Sequence, residues 1–194
     1  GENPGENPGE NPGEDPGEEP GENPGEGGSD LWLLVTDAST LSVGDQVVIA
    51  AAEADAALST NQKSNNRGQA NVTKSANTLT INEEVQVLTL ETGNKANTLA
   101  LNTGSGYLYA ASSSSNYLRT ETTLSDNSSW VITISEGVAS IIAQGENTHN
   151  VMQYNQQSSL FACYGSASQG AIALYKKASA EGVILAPTIT GEVN

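Results

Sequence analysis

Among 194 residues there is one cysteine, one histidine, one methionine and one phenylalanine, and only seven lysines and arginines stand against 23 acids. A single cysteine excludes an internal disulfide framework and any thiolate metal cluster. One histidine cannot supply a two-histidine metal site. An acidic chain without a basic patch is a poor partner for nucleic acid, because phosphate neutralisation needs clustered Lys and Arg. No apolar run approaches the ~20 residues of a membrane-spanning helix. No segment keeps a helical period over three turns.

The negative charge is unevenly spread. Ten of the sixteen net charges lie in residues 1–30, where no base occurs. Residues 1–28 read GENPGENPGENPGEDPGEEPGENPGEGG, with Glu2, Glu6, Glu10, Glu14, Glu18, Glu22 and Glu26 at a four-residue period. Without an aliphatic or aromatic side chain, this stretch has no apolar surface to offset its chain entropy and is expected to be a disordered spacer. Pro-Gly pairs favour transient type II turns, and a coil of this length spans roughly 30 Å. Glu and Asn oxygens recur, but nothing gathers the six to eight that calcium takes. The missing initiator methionine reads as a processed or trimmed chain. Three regions follow: an acidic tether at 1–30, a folded domain at 31–178, and a C-terminal linker at 179–194.

Within 31–177 the apolar segments are short, alternating and bounded by Gly, Asn, Ser or Asp, which is the signature of strands. Thirteen are predicted: 31–35, 46–50, 57–60, 78–81, 85–91, 98–102, 107–111, 117–121, 130–135, 139–143, 151–155, 160–164 and 171–176. The chain also repeats itself. Residues 84–93 align with 128–137 at an offset of 44, residues 107–112 with 150–155 at 43, and Val131-Ile132 with Ala173-Leu174 at 42. A weaker copy runs through 46–60. Three units of about 43 residues, each with four strands, predict an all-β, β-trefoil-like fold whose units close around one axis. A β-sandwich or irregular barrel stands as the alternative, since 31–35 is one strand more than a trefoil needs. Alternation points Val47, Ile49, Leu99, Leu101, Leu108, Leu118, Ile132, Ile134, Val151, Phe161, Ile172 and Leu174 inward. Trp130 is expected in the core with its indole N–H on a backbone carbonyl. Trp32 is balanced between core and ligand platform.

Catalysis needs a constellation, and none emerges. His149 sits in a polar loop without a motif-placed nucleophile. Cys163 lies in an alternating strand, as a small buried hydrophobe rather than a reactive thiol. Glycosidase chemistry needs two opposed carboxylates, and the scattered acids, Glu146 and Asp126 among them, cannot be paired by spacing. Gly104-Ser105-Gly106 lacks the helix and lysine of a phosphate loop. No enzyme activity, cofactor or metal is expected.

The loops remain. Residues 61–67, 112–116 and 155–159 fall at equivalent places in the three units and are rich in amides and hydroxyls. With nearby tyrosines they offer what sugars require, planar hydrogen bonds and a ring face. The candidate ligand-binding residues are Asn61, Asn65, Asn66, Arg67, Tyr109, Asn116, Tyr117, Tyr154, Asn155 and Gln156. The same residues are also ordinary hairpin-turn formers, and that reading stands beside the first.

Several motifs carry a resemblance: Gly44-Asp45-Gln46-Val47-Val48-Ile49, Asn65-Asn66-Arg67-Gly68, residues 85–91 and 104–110, Trp130-Val131-Ile132-Thr133-Ile134, Phe161-Ala162-Cys163-Tyr164, and Leu174-Tyr175-Lys176-Lys177. On these, residues 44–177 resemble a β-rich accessory module of secreted and surface-anchored multidomain proteins of gut bacteria of the Bacteroidetes type. The acidic repeat resembles tethers that follow the lipidated cysteine of bacterial surface lipoproteins. "APTIT" at 186–190 resembles the opening strand of the small immunoglobulin-like modules that follow such domains. The resemblance implies a non-catalytic module at the cell surface or outside the cell, beside further domains and below an upstream lipid anchor. Combined with the loops, the expected function is carbohydrate recognition by a monomeric domain. The alternative is a structural spacer or docking domain without a small ligand.

Overall fold

The computed structural model describes residues 30–179. The expectations for the acidic tether and for the linker beyond Ser179 fall outside the described residues.

Fifteen strands follow in chain order: β1 (Trp32–Leu34), β2 (Gln46–Ala51), β3 (Ala56–Lys63), β4 (Asn66–Asn71), β5 (Thr73–Ser75), β6 (Thr78–Thr80), β7 (Leu88–Thr92), β8 (Leu99–Asn102), β9 (Tyr107–Ala110), β10 (Leu118–Glu121), β11 (Ser129–Ser135), β12 (Val138–Ala143), β13 (Val151–Asn155), β14 (Leu160–Tyr164) and β15 (Ile172–Lys177). Six of them form a ring of antiparallel pairs. β2 pairs with β7, β7 with β8, β8 with β11, β11 with β12, β12 with β15, and β15 with β2 again. That cycle is a closed barrel. The hairpins β3–β4, β9–β10 and β13–β14 branch from it once per unit. Three units of four strands around a closed ring make this a β-trefoil, which excludes the sandwich.

Inward positions of barrel and hairpins share one core. Val47, Ile49, Leu88, Leu90, Leu101, Ile141, Ile172 and Leu174 come from the ring, and Leu58, Leu108, Leu118, Met152 and Phe161 from the hairpins. Each contributes about 1.5–3 kcal/mol through burial. Leu99, Ile132 and Ile134 pack against this cluster while partly exposed. Trp130 is fully buried and its Nε1–H donates to the Leu108 carbonyl at 3.1 Å, as the sequence predicts.

The remaining strands form a second layer. β1 pairs with β15, β6 with β1, and β5 with β6. This strip covers the outer face of the first unit, trapping Trp32, Leu79, Val72, Val48, Ala50, Ala57, Ala70, Ala173 and Tyr175 in a second core. Two cores explain why β2 reads as an unbroken apolar run: both of its faces are buried. Lys74 ties β5 to the β2–β3 turn, its ammonium donating to the carbonyls of Ala51, Ala52 and Ala54.

Three sequence expectations are corrected. The pairs Leu118↔Ala110 and Phe161↔Tyr154 show that Ala110 corresponds to Tyr154. The third unit is therefore offset by 44 here, not 43. A one-residue slip exchanges the two faces of a strand, so Val151 is half-exposed while Met152 and Tyr154 enter the core. Residues 61–67, expected as a loop, are largely strand, with only Ser64 and Asn65 between β3 and β4. β4 and β5 escaped the pattern because their polar side chains do not alternate with apolar ones.

Candidate functional site

The ten expected ligand-binding residues separate into structural and surface groups. Asn65 and Asn66 join two hairpins: the Leu118 N–H donates to the Asn65 carbonyl and to Asn66 Oδ1, each at 3.0 Å. Arg67 is only 5% exposed. Its Nε–H donates to the Ser59 carbonyl at 3.2 Å, one terminal nitrogen to Thr120 Oγ1 at 3.3 Å, and the other to Gln86 Oε1. Burial pulls its pKa below the usual arginine value. A guanidinium used in this way is a strut between the first and second units, so its expected ligand contact is corrected. Tyr154 is likewise buried. It packs on Phe161 with ring centroids 5.0 Å apart, and its hydroxyl donates to Gln69 Oε1. Asn155 caps its own turn, accepting from the Ser158 N–H and donating to the Tyr164 hydroxyl, both at 3.0 Å.

Asn61 and Gln156 are exposed. Gln156 borders a cavity of about 50 Å³ with Glu53, Ala54 and Gly170, too small for a sugar ring. Asn116 Oδ1 lies 2.8 Å from His149 Nδ1 and links the loop before β10 to the loop before β13. Asn147 belongs to the same link, donating through its side chain to the Ala110 carbonyl at 2.8 Å. Cys163 is fully buried, and burial pushes its thiol far up from the usual value. Among the described residues no three His, Cys, Asp or Glu side chains gather as metal ligands.

Tyr109 and Tyr117 share one place. In β9, Leu108 and Ala110 point inward, so Tyr107 and Tyr109 point outward. Across the hairpin Tyr109 faces Arg119 and Tyr107 faces Glu121. Tyr117 precedes β10, where its carbonyl accepts from the Ala111 N–H at 3.1 Å. The outer face of this hairpin therefore carries three half-exposed tyrosines, Arg119 and Glu121. Tyr107 is pinned: its hydroxyl donates to Glu91 Oε2 at 3.0 Å, and Asn102 Nδ2 donates to the other oxygen of that carboxylate. The hydrogen bond to Glu91, and then the charge of that carboxylate, raise the pKa of the Tyr107 hydroxyl. Gly106 sets the start of β9. Its φ is +154°, and a Cβ there would strike the Glu121 carbonyl oxygen.

The equivalent faces of the other hairpins are covered. In the first unit Ala57 and Ala70 lie under the β1–β6–β5 strip. In the third, the loop after β14 folds over Gln153, whose side chain donates to the Ser166 carbonyl at 2.7 Å and accepts from the Gln169 N–H at 2.6 Å. The first hairpin stays exposed only toward its tip, at 60–63; among the described residues the second unit has no segment laid over its hairpin face, and that face holds the tyrosines. Sequence reasoning missed Tyr107, Glu91, Asn102 and Arg119. The alternation Tyr107-Leu108-Tyr109 signalled the two rings, but the carboxylate and arginine come from other strands.

No protein-family model matches the chain, and no curated protein matches it in sequence. Solved structures do match in fold. A GlcNAcα1-4Gal-releasing endo-β-galactosidase from Clostridium perfringens superposes with a TM-score of 0.51 at 9% identity, over 68% of this chain and 32% of its own. A GH43 β-1,3-galactosidase gives 0.51 at 13%, over 75% and 29%. A Polyporus squamosus lectin bound to Neu5Acα2-6Galβ1-4GlcNAc gives 0.51 at 12%, over 70% and 50%. The chain thus spans about a third to a half of those proteins, and at such identities only the fold is shared.

Proposed function

We propose that this domain is a non-catalytic carbohydrate-binding module that uses the outer face of the β9–β10 hairpin. The observation that carries the reading is the hairpin face of the second unit, over which no other described segment is laid and where Tyr109 and Tyr117 stand beside Tyr107, itself held by a hydrogen-bonded carboxylate. Tyr107, pinned on Glu91, and the half-exposed Tyr109 and Tyr117 supply ring faces for sugar C–H groups, and the polar side chains of the face supply hydrogen bonds to hydroxyls. Fold neighbours that include a lectin and two enzymes acting on galactose-containing glycans support the class of ligand. In this reading the domain is displayed on its acidic tether, at the cell surface below a lipid anchor or outside the cell, within a larger protein of the gut-bacterial type described above.

A titration against host mucin glycans and plant polysaccharides tests it. Saturable binding is expected, with a loss of about tenfold or more in Tyr109→Ala and Tyr117→Ala. Flat responses from a folded sample across the whole panel remove the reading.

A docking domain is the second reading, favoured by one feature. An open apolar groove of about 390 Å³ lies beside Leu31, Leu33, Val35 and Ala178, with Leu31 and Leu33 each 41% exposed. A neighbouring domain seated there would cover it. Relaxation measurements on a longer chain that show independent tumbling would count against this reading.

A further inference from the structure

All seven basic side chains of the protein lie in the folded domain, and six are committed. Lys63 Nζ donates to the Ser158 carbonyl at 3.3 Å. Arg67 is buried on three neutral acceptors, and the half-buried Lys74 donates to three carbonyls. Lys95 pairs with Asp126 at 3.5 Å, Lys176 with Asp45 at 2.8 Å, and Lys177 with Asp30 at 2.8 Å. Arg119 alone makes no ion pair and no side-chain hydrogen bond among the described residues. Against the twelve acids among the described residues, a guanidinium without an ion pair there stands out.

Its position is specific. Arg119 is exposed and stands directly across from Tyr109, on the hairpin face that the other two units cover. The two carboxylates associated with this face are already engaged. Glu91 accepts from Asn102 and Tyr107, and Glu121 accepts from the Ser125 hydroxyl at 2.5 Å. Arg119 and Glu121 lie two residues apart on one strand, about 7 Å, and form no ion pair. A guanidinium is a planar fork of donors whose natural acceptor is a carboxylate taken through two parallel bonds. A pyranose lying against Tyr109 would carry a ring carboxylate within reach of that fork.

Resting on the carbohydrate reading, we infer that the face selects a carboxylated sugar, a uronate or a sialate, with Arg119 as the specificity residue. Glu91 and Glu121 flank the site and repel further negative charge. The selection is therefore for one carboxylate placed over Arg119, and a densely charged polyanion is disfavoured.

Affinities of the full chain for two matched pairs test this: sialyllactose against lactose, and trigalacturonate against galactotriose. The carboxylated member of at least one pair is expected to bind roughly tenfold to a hundredfold more tightly, as one charge-assisted hydrogen-bonded contact provides. Whichever pair shows the preference identifies the source of the carboxylate. Arg119→Gln should bring that ratio down to about one, with the melting temperature unchanged because the side chain is exposed and unpartnered. Equal affinity within both pairs overturns the inference and leaves the carbohydrate reading standing if Tyr109→Ala abolishes binding. A carboxylate preference that persists in Arg119→Gln also overturns it. No binding to any of the four sugars or to the wider glycan panel removes both.

Discussion

Arg67 offers the sharpest test, because sequence and structure assign it opposite roles. If the side chain is a strut, Arg67→Ala removes three donors, two of them from buried acceptors that water cannot reach. Gln86 Oε1 loses its charged donor, and that amide cannot turn away because its Nε2 already donates to the carbonyls of Val87 and Thr103, at 2.8 and 3.1 Å. The Ser59 carbonyl and Thr120 hydroxyl lose theirs. A buried acceptor left unpaired costs about 1–3 kcal/mol, and deleting the arginine stem adds a packing loss. Relief of the guanidinium's own desolvation, worth several kcal/mol, works in the other direction. The expected net loss is about 3 kcal/mol, which lowers the melting temperature by roughly 6–12 °C in a domain of this size. Guanidinium denaturation followed by the fluorescence of Trp32 and Trp130 measures it. Arg67→Met should recover the packing part only and remain less stable than the parent. The reasoning is refuted if Arg67→Ala unfolds within about 0.5 kcal/mol of the parent while its sugar affinity falls tenfold, since that pattern belongs to a surface ligand contact.

Four further outcomes are expected. Trp130→Phe keeps an aromatic ring in the core but leaves the Leu108 carbonyl without its donor, so denaturation should show a loss of about 1–3 kcal/mol. Tyr107 should keep its proton above the usual tyrosine range near pH 10, because the folded state holds it against Glu91; Glu91→Gln should bring its tyrosinate absorbance back to lower pH. Cys163 should resist alkylation in the native state at mildly alkaline pH and react only on unfolding. Its folded pKa is raised, so the native chain retains a proton that the unfolded chain releases; stability is full below the unfolded thiol value of ~8.5 and falls as pH climbs past it. Gly106→Ala should weaken sugar binding together with stability, since the added methyl collides with the Glu121 carbonyl and displaces the start of β9.

Much of the architecture was legible in the chain because a trefoil is written three times. The repeats at offsets near 43 announced three units, and alternation assigned Val47, Ile49, Leu101, Leu108, Leu118, Phe161 and Leu174 to the core, where they lie. Local pattern failed where a second element covers a strand. Ala57, Ala70 and Gln153 sit on faces that would be open in a bare hairpin, and they are buried by the β1–β6–β5 strip and by the loop after β14. The pattern also failed where buried polar groups satisfy one another. Arg67 and Gln86 look like surface residues until their 19-residue separation is closed by the fold.

By itself, the sequence determined the strand content, the threefold repetition, most of the inward positions and the acidity of residues 1–30. All of these follow from local composition and periodicity. Closure of the ring, the second core and the fate of the ten candidate residues were decided only by tertiary structure. The physical reason is that the three hairpins are equivalent in topology, and local sequence does not say what lies on top of each. Two faces are covered, one by the β1–β6–β5 strip and one by the loop after β14, and the third leaves Tyr109, Tyr117 and Arg119, unpaired among the described residues, facing solvent.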